Sequence, residues 1–507
     1  MRFKNSLKNL SASVISQFFI MVLTFVCRTI FVKLLTAEYL GLSGLFTNVL
    51  SILSLSELGI GNAIIVHLYK PVADHDEITI SRYMNFYAVA YRIIGIAILL
   101  FGVISTPFLP VFVNTDVDIP HLDVIYFLYV ANTAVSYFCA YNRTILTVDQ
   151  KEYINTVNRN LFTFIQNIVQ IVVLLITRNY ILYVATMTAC TLTSNISISW
   201  IANRMYPFLH INKREKLARA DIVDLFRSLK AIIYYKLGNT VINSTDNILI
   251  SMLLGVYYVG LYSNYSMIVG VVTSFTVMIS AACSASLGNY NASENEQNVY
   301  FMFRVMTLIG LWVYGFASIC FVCLFQPFIK LWIGERFLLD NLTMLFIVIA
   351  FFLKGIISVF GTFIDITKLF IRTRTVPIIM AIINIVVSII AAKAVGIAGI
   401  FFGTIVSYLI TQFWINPYVL CKYRFHVPFK KWICFFSIRI GVVLAAFLTT
   451  IFIVRLTNIF FLKVCICMVI PNILFVIALM KTKEFCYIKT KVSEVVKKGS
   501  GRYEGTF

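Results

Sequence analysis

Runs of roughly 20 to 27 mostly apolar residues recur about 14 times along this 507-residue chain, with short polar breaks between them. Each run is long enough to cross a hydrocarbon core of ~30 Å as a helix. Such a chain does not suit water: 60% of its residues are hydrophobic and only 13% charged, too few charges to cover a soluble protein of this size. Membrane strands would alternate apolar and polar residues, whereas these runs are continuous. The expectation is an all-α polytopic membrane protein with about 14 helices, near 10–35, 39–66, 86–113, 121–147, 160–177, 180–202, 231–254, 256–285, 304–328, 343–365, 377–395, 397–420, 433–455 and 457–480. The first run follows Arg2, Lys4 and Lys8. It is too long for a signal-peptide core and no small-residue cleavage pattern follows, so it reads as a retained helix.

A net charge of +20 raises the question of nucleic acid, but its distribution answers a different one. Of the 42 Lys and Arg, 30 fall on alternate loops and helix ends beginning with the N-terminus, 7 on the intervening ones, and the remaining five within helices. By the positive-inside rule this puts both termini in the cytoplasm. The expected location is a bacterial inner membrane, whose anionic lipid headgroups attract the basic loops, and nucleic acid is not an expected partner. The 11 cysteines and five histidines show no ligand spacing; Cys465 and Cys467 face different sides of one helix. That suits neither a metal nor a disulfide, and no cofactor is expected.

The longest mainly polar stretch, 203–230, separates the first six runs from the next six. Leu34-Leu35-Thr36-Ala37-Glu38-Tyr39-Leu40-Gly41-Leu42 can be laid over Leu253-Leu254-Gly255-Val256-Tyr257-Tyr258-Val259-Gly260-Leu261 at an offset of 219 residues, and Gly61-Asn62 recurs with a small gap as Gly288-Asn289. Six helices per copy is an even number, so both copies enter the membrane in the same sense, as parallel repeats do. The expected organisation is an N-terminal lobe over 1–212, a C-terminal lobe over 213–420, and a further helix pair with a basic cytoplasmic tail over 421–507.

Polar groups are costly in hydrocarbon, so those that occur there usually face a bundle interior or a wet cavity. The first expected helix aligns Ser13, Gln17, Thr24 and Arg28 within about 60° at ~100° per residue. The second aligns Ser43, Thr47, Ser51, Ser54 and Glu57; the fifth Asn160, Thr163, Asn167 and Gln170; the seventh Asn239, Asn243, Asp246 and Asn247. These stripes read as the lining of a hydrated passage, against the plainer reading that Ser, Thr and Asn glue helices together. Lys354 lies near the middle of the tenth helix, where snorkelling is hardest. Asp246 sits among amides and hydroxyls, while Arg92, Arg143, Asp365 and Arg439 lie nearer helix edges as anchors. No Walker loop occurs, and the outer loops are too short to carry the acids a glycan polymerase or transferase needs. A transporter is expected rather than an enzyme.

Leu55-Ser56-Glu57-Leu58-Gly59-Ile60-Gly61-Asn62-Ala63, with Leu68-Tyr69-Lys70-Pro71 after it, resembles the second-helix segment of polysaccharide repeat-unit flippases. So does Ser244-Thr245-Asp246-Asn247-Ile248-Leu249-Ile250-Ser251, followed by Val259-Gly260-Leu261-Tyr262-Ser263-Asn264-Tyr265, and the likeness runs over essentially the whole chain. That family belongs to the multidrug/oligosaccharidyl-lipid/polysaccharide superfamily, whose members have two six-helix lobes and alternate access between membrane faces. The resemblance implies movement of an undecaprenyl-pyrophosphate-linked oligosaccharide from the cytoplasmic to the outer leaflet, for capsule, O-antigen or exopolysaccharide. The polysaccharide polymerase and assembly machinery are then further partners.

For that substrate, Lys354 and Arg28 are the cations expected against the pyrophosphate, with Arg92 and Arg143 receiving it first and Gln17, Asn167 and Gln170 along the path. Related lipid II flippases bind sodium through an Asp on helix 7, an Asn-x-x-x-Asp pair on helix 11 and a Thr on helix 12. Asp246, Asn384 and Thr404 match this pattern, but Ser388 replaces the second Asp. One carboxylate fewer weakens a sodium site, so proton coupling through Asp246 or Glu57 competes with it, with Asn243 and Asn247 beside Asp246. The alternative function is a multidrug and toxin extrusion antiporter, and a polytopic glycan polymerase or transferase is a remote one.

Overall fold

In the computed structural model the described residues are 2–54, 60–115, 117–212 and 215–500, and among them helices are the only regular secondary structure. The helices that carry the fold are α1 (Arg2–Leu34), α2 (Ala37–Leu53), α3 (Ile60–Ala73), α4 (Glu77–Phe112), α5 (Leu122–Val148), α6 (Glu152–Thr177), α7 (Tyr180–Met205), α8 (Arg219–Leu254), α9 (Val256–Ser293), α10 (Glu296–Ile333), α11 (Asn341–Ile366), α12 (Phe370–Val395), α13 (Ile397–Phe425), α14 (Phe429–Arg455), α15 (Phe460–Leu479) and α16 (Lys483–Ser500). Among the described residues ten of these, α4 to α7 and α10 to α15, are long and apolar enough to cross a membrane. The chain is a multi-pass membrane protein of all-α fold. The other four expected crossings fall on α1, α2 with α3, α8 and α9, parts of which lie outside the described residues or side chains. Glu57 lies outside the described residues, as do the side chains of Gln17, Asn239 and Asn243.

Helix ends are set locally. The side chains of Asp76, Asn179, Asn295 and Asp340 accept backbone N–H groups two or three residues on, at 2.8–3.2 Å, and start α4, α7, α10 and α11. Helices α8 and α12 stop at Gly255 and Gly396, with φ of 110° and 62°, backbone shapes that a side chain resists. One residue thus joins α8 to α9 and α12 to α13. At the other ends, α4, α6, α8 and α10 begin about two to three turns before their apolar runs do. Helical hydrogen bonding continues past the hydrocarbon, on basic and acidic residues alike.

The chain forms two compact units, 1–264 and 265–507. In the first, α1 packs on α6, α6 on α7, α5 lies between α4 and α7, and α8 runs against α2 and α3. In the second, α10 packs against α11, α14 and α15, while α12 and α13 form a close antiparallel pair. That pair touches backbone to backbone: a Cβ at Gly399 would lie 2.3 Å from the Ala391 carbonyl oxygen, and one at Gly403 2.1 Å from Ser388 Oγ. Small residues four apart permit such an approach where lipid supplies no hydrophobic drive. Elsewhere the outward faces are apolar, as with Val89, Ile93, Ile96 and Leu100 on α4.

The segment after the last crossing, expected as a basic tail, begins with a docked helix. Glu484 on α16 is buried between Arg304 of α10 and Arg439 of α14, whose Nη2 donates to it at 3.4 Å. Both guanidinium groups also lie over the Phe435 ring, at 4.6 and 4.1 Å. Trp312 stacks on Phe485 at 5.9 Å and donates to Asn472 Oδ1 at 2.8 Å, tying α10 to α15 and α16.

Candidate functional site: a guanidinium at a repeat contact and a polar face on an apolar helix

In the first unit, the two segments aligned at an offset of 219 residues meet each other. A Cβ on Gly41 would fall 1.9 Å from the Val256 carbonyl oxygen, and a Cβ on Gly260 would fall 2.0 Å from the Ala37 carbonyl oxygen. Gly41 and Gly260 are counterparts at that offset, and so are Ala37 and Val256. The contact between α2 and α9 is therefore reciprocal. Leu40, Leu42, Leu45, Val259 and Leu261 are buried around it.

Arg28 of α1 reaches this contact. Its Nη2 donates to Ser263 Oγ at 2.6 Å and its Nε to Asn264 Oδ1 at 3.3 Å. Phe31 meets Tyr180 and Tyr183 edge-on at 5.8 and 5.1 Å, and the Tyr129 and Tyr180 hydroxyls are 2.9 Å apart. The counterpart of Arg28 is Asn247 on α8, whose Nδ2 would lie 3.5 Å from a Cβ on Gly44, the counterpart of Ser263. The buried Oδ1 of Asn247 has no hydrogen-bond partner among the described residues. One repeat thus supplies a guanidinium where the other supplies an amide. In the sequence Ser263 and Asn264 stand out only as part of a family-like segment; the signal that singles them out is their register opposite Gly44 and Leu45 in the repeat.

The remaining candidates of the first unit are held by neighbouring helices. Asn167 Nδ2 donates to Thr163 O at 2.9 Å and to Thr24 Oγ1 at 3.4 Å, and Gln170 Nε2 donates to Tyr183 O at 3.2 Å, so both tie α6 to its neighbours. Helix α5 breaks at Cys139, with φ of 65°. Asn195 of α7 takes the freed carbonyls of Val135 and Ser136, at 2.9 and 3.4 Å. Arg143, just past the break, donates from Nη2 to Ser194 Oγ at 3.1 Å and Asn195 Oδ1 at 3.0 Å, while its buried Nε has no partner among the described residues. Arg92 is exposed on α4. Asp246 lies half-buried on α8 beside the buried Ser244 and Thr245.

Where α5 and α7 end, Lys151 Nζ lies 2.7 Å from Asp149 Oδ2, and the Tyr206 hydroxyl donates to that oxygen at 2.6 Å. Burial pushes the Asp149 carboxyl up, but the hydrogen bonds from Lys151 and Tyr206 outweigh it and hold the group below the usual carboxylate range. Burial, then Asp149, pushes the Tyr206 phenol up to about 12.

In the second unit, α11 stands apart from the other helices. From Thr343 to Ile366 its exposed residues are Lys354, Ser358 and Asp365, which share one line of the helix within about 40°. Exposed stripes such as that of α4 are apolar, so a polar exposed line on so apolar a helix stands out against them. Asp365 belongs to this line rather than to an edge anchor alone.

Asn384, Ser388 and Thr404 lie between α12 and α13, fully buried. Asn384 Nδ2 donates to Thr404 Oγ1 at 2.9 Å; Ser388 Oγ and Thr404 Oγ1 both reach the Ile400 carbonyl, at 3.0 and 3.4 Å. The set is neutral, and Gly399 and Gly403 close the space beside it.

Among the described residues, membrane-crossing helices with buried polar networks and a polar exposed face on α11 suit a transporter. The solved structures that share the fold include the lipid II flippase MurJ in an inward closed conformation, at TM-score 0.66 and 14% identity over 92% of this chain and 98% of that one. An inward-facing multidrug resistance MATE family transporter of the MOP superfamily gives 0.63 and 15% over 80% and 98%. The Vibrio cholerae MATE transporter VcmN gives 0.53 and 11% over 82% and 98%. No curated protein matches the sequence. Residues 6–285 match the polysaccharide biosynthesis protein family, and the chain belongs to it.

Proposed function

We propose that this protein flips an undecaprenyl-pyrophosphate-linked oligosaccharide from the cytoplasmic to the outer leaflet of the bacterial inner membrane, by alternating access, for a surface polysaccharide such as capsule, O-antigen or exopolysaccharide. Membership of the polysaccharide biosynthesis family and a flippase-like fold support a lipid-linked flippase or transporter. The observation that carries the finer reading is the exposed Lys354, Ser358 and Asp365 line. A sugar chain needs a wet path, a pyrophosphate needs a cation such as Lys354 or Arg28, and the polyprenyl tail stays in lipid. A multidrug extruder has the same fold, but its cationic substrates call for a path dominated by carboxylates. Both termini lie in the cytoplasm in this reading, following the 30 to 7 bias of Lys and Arg.

Proton coupling through Asp246 is the reading we favour over sodium. The α12–α13 set that would complete a sodium site holds no carboxylate, and its hydroxyls already donate to the Ile400 carbonyl. The test is complementation of a strain lacking its repeat-unit flippase, supplied with the cognate glycan pathway and scored for surface polysaccharide. Restored polysaccharide is expected; none, with the protein verified in the membrane, would refute the assignment.

A further inference from the structure

A polar recess in the first unit is lined by neither Arg28 nor its partners Ser263 and Asn264. It has a volume of about 230 Å³ and lies between α4, the α5 break and the end of α7, with Asn85, Arg92, Tyr141, Asn142, Asn203 and Leu209 among its lining. Two of these side chains are uncommitted: Arg92 and Asn203 make no hydrogen bond or ion pair with any described residue. Asn142 and Asn85 are anchored and give the recess its shape. Asn142 Nδ2 donates to Ser199 Oγ at 2.6 Å, and Asn85 Nδ2 donates to the Asn212 and Glu215 carbonyls at 2.8 and 3.0 Å. The carboxylate of Glu215, whose carbonyl Asn85 holds, pairs with Arg82 at 3.0 Å, and no carboxylate is among the lining residues. The local charge left over is positive.

What lies beside the recess defines its ligand. From Arg92 onward, α4 exposes Ile93, Ile96, Leu100 and Val103, and α7 exposes Leu192, Ile196 and Trp200 before Asn203. Both stripes run from the recess along the helices, where acyl or prenyl chains lie. Arg204, next to Asn203, sits over the Trp200 ring at 5.5 Å, an interfacial pair that marks headgroup depth. An arginine left without a protein acceptor at that depth has an obvious anionic partner, because guanidinium matches phosphate oxygens in a bidentate fork.

We infer that this recess binds the phosphate of a membrane lipid, with Arg92 as its principal donor, Asn203 as a second donor, and the chains along α4 and α7. The site requires only that the chain sits in a membrane, so it does not depend on the flippase reading. A phosphate-bearing lipid here is either a bulk anionic phospholipid or a polyprenyl phosphate carrier, and the two are told apart by the ligand supplied.

The full-length protein, purified and stripped of lipid, is titrated with phosphatidylglycerol, undecaprenyl phosphate or inorganic phosphate, with bound lipid counted by native mass spectrometry. One lipid-phosphate adduct is expected, with apparent affinity about tenfold weaker in Arg92→Gln and unchanged in Arg178→Gln, an exposed arginine elsewhere. The lipid that binds better identifies the source. Equal lipid retention by Arg92→Gln, or equal occupation by inorganic phosphate alone, overturns the inference. If Arg92→Gln does not fold, Asn203→Ala is expected to weaken binding and Arg92→Lys to retain part of it, and undiminished binding by Asn203→Ala overturns the inference in its turn.

Discussion

The reciprocal glycine contact makes an unusual energetic prediction. In Gly41→Ala the new methyl meets the Val256 carbonyl oxygen at 1.9 Å, and in Gly260→Ala it meets the Ala37 carbonyl oxygen at 2.0 Å. A carbon and an oxygen need more than 3 Å, so α2 and α9 must part by about 1 Å in either variant. A gap of that size forfeits roughly a quarter to a half of each dispersion contact across it, and Leu40, Leu42, Leu45, Val259 and Leu261 line the seam. Overpacking of this kind costs about 1–3 kcal/mol. Because one separation relieves both clashes, the double variant should cost markedly less than the two singles added, a coupling of about 1 kcal/mol or more. Gly441→Ala on α14, where a Cβ meets nothing within 4 Å, is the control and should be neutral or slightly stabilising. Denaturation of the purified protein in detergent, followed by size-exclusion of the surviving fold, measures all four. Additive losses, or Gly41→Ala as stable as the unaltered protein, would refute the reasoning.

Other consequences follow from single side chains. Glu484→Ala leaves Arg304 and Arg439 facing each other, and should cost about 3 kcal/mol, the low end for a broken buried pair because Arg304 is 30% exposed; released α16 should be cut by trypsin at Lys489 and Lys491. Asp149→Asn should lower stability at pH 7. Its carboxyl is held below the usual range in the folded state, so its contribution is present above the unfolded pKa of about 3.9 and disappears as pH falls through the folded one; the gap between variant and parent should close in acid. Ser388→Val puts a methyl where Gly403 already crowds Ser388 Oγ and orphans the Ile400 contact, so thermal stability should fall without altering net charge.

Hydropathy is enough for the ten crossings α4 to α7 and α10 to α15 because the hydrocarbon sees only the apolar part of each helix. It misplaced the starts of α4, α6, α8 and α10, where Glu77, Glu152, Arg219 and Glu296 continue the helix in the headgroup region. The repeat was legible as a constant offset, yet spacing alone gave no hint that Gly41 and Gly260 touch each other's backbones. Polar stripes named the right residue types but not their neighbours: Asn167 and Gln170 turn out to bind adjacent helices, while Lys354, Ser358 and Asp365 share an open line that no single residue advertises. Arg28 stands out in the sequence by its charge, and only the fold shows that Ser263 and Asn264 hold it. The docked α16 was hidden because Glu484 looks like any charge in a basic tail until Arg304 and Arg439 converge on it.

The central claim is translocation of a lipid-linked oligosaccharide along the α11 face. Its most direct test reconstitutes the protein in proteoliposomes with a fluorescent polyprenyl-pyrophosphate oligosaccharide on one leaflet and follows the fraction reached by an impermeant quencher. The account predicts transfer well above protein-free vesicles, and loss of that transfer in Lys354→Ala at equal protein content. Transfer by Lys354→Ala at the parent rate, or none by the parent protein, would contradict it.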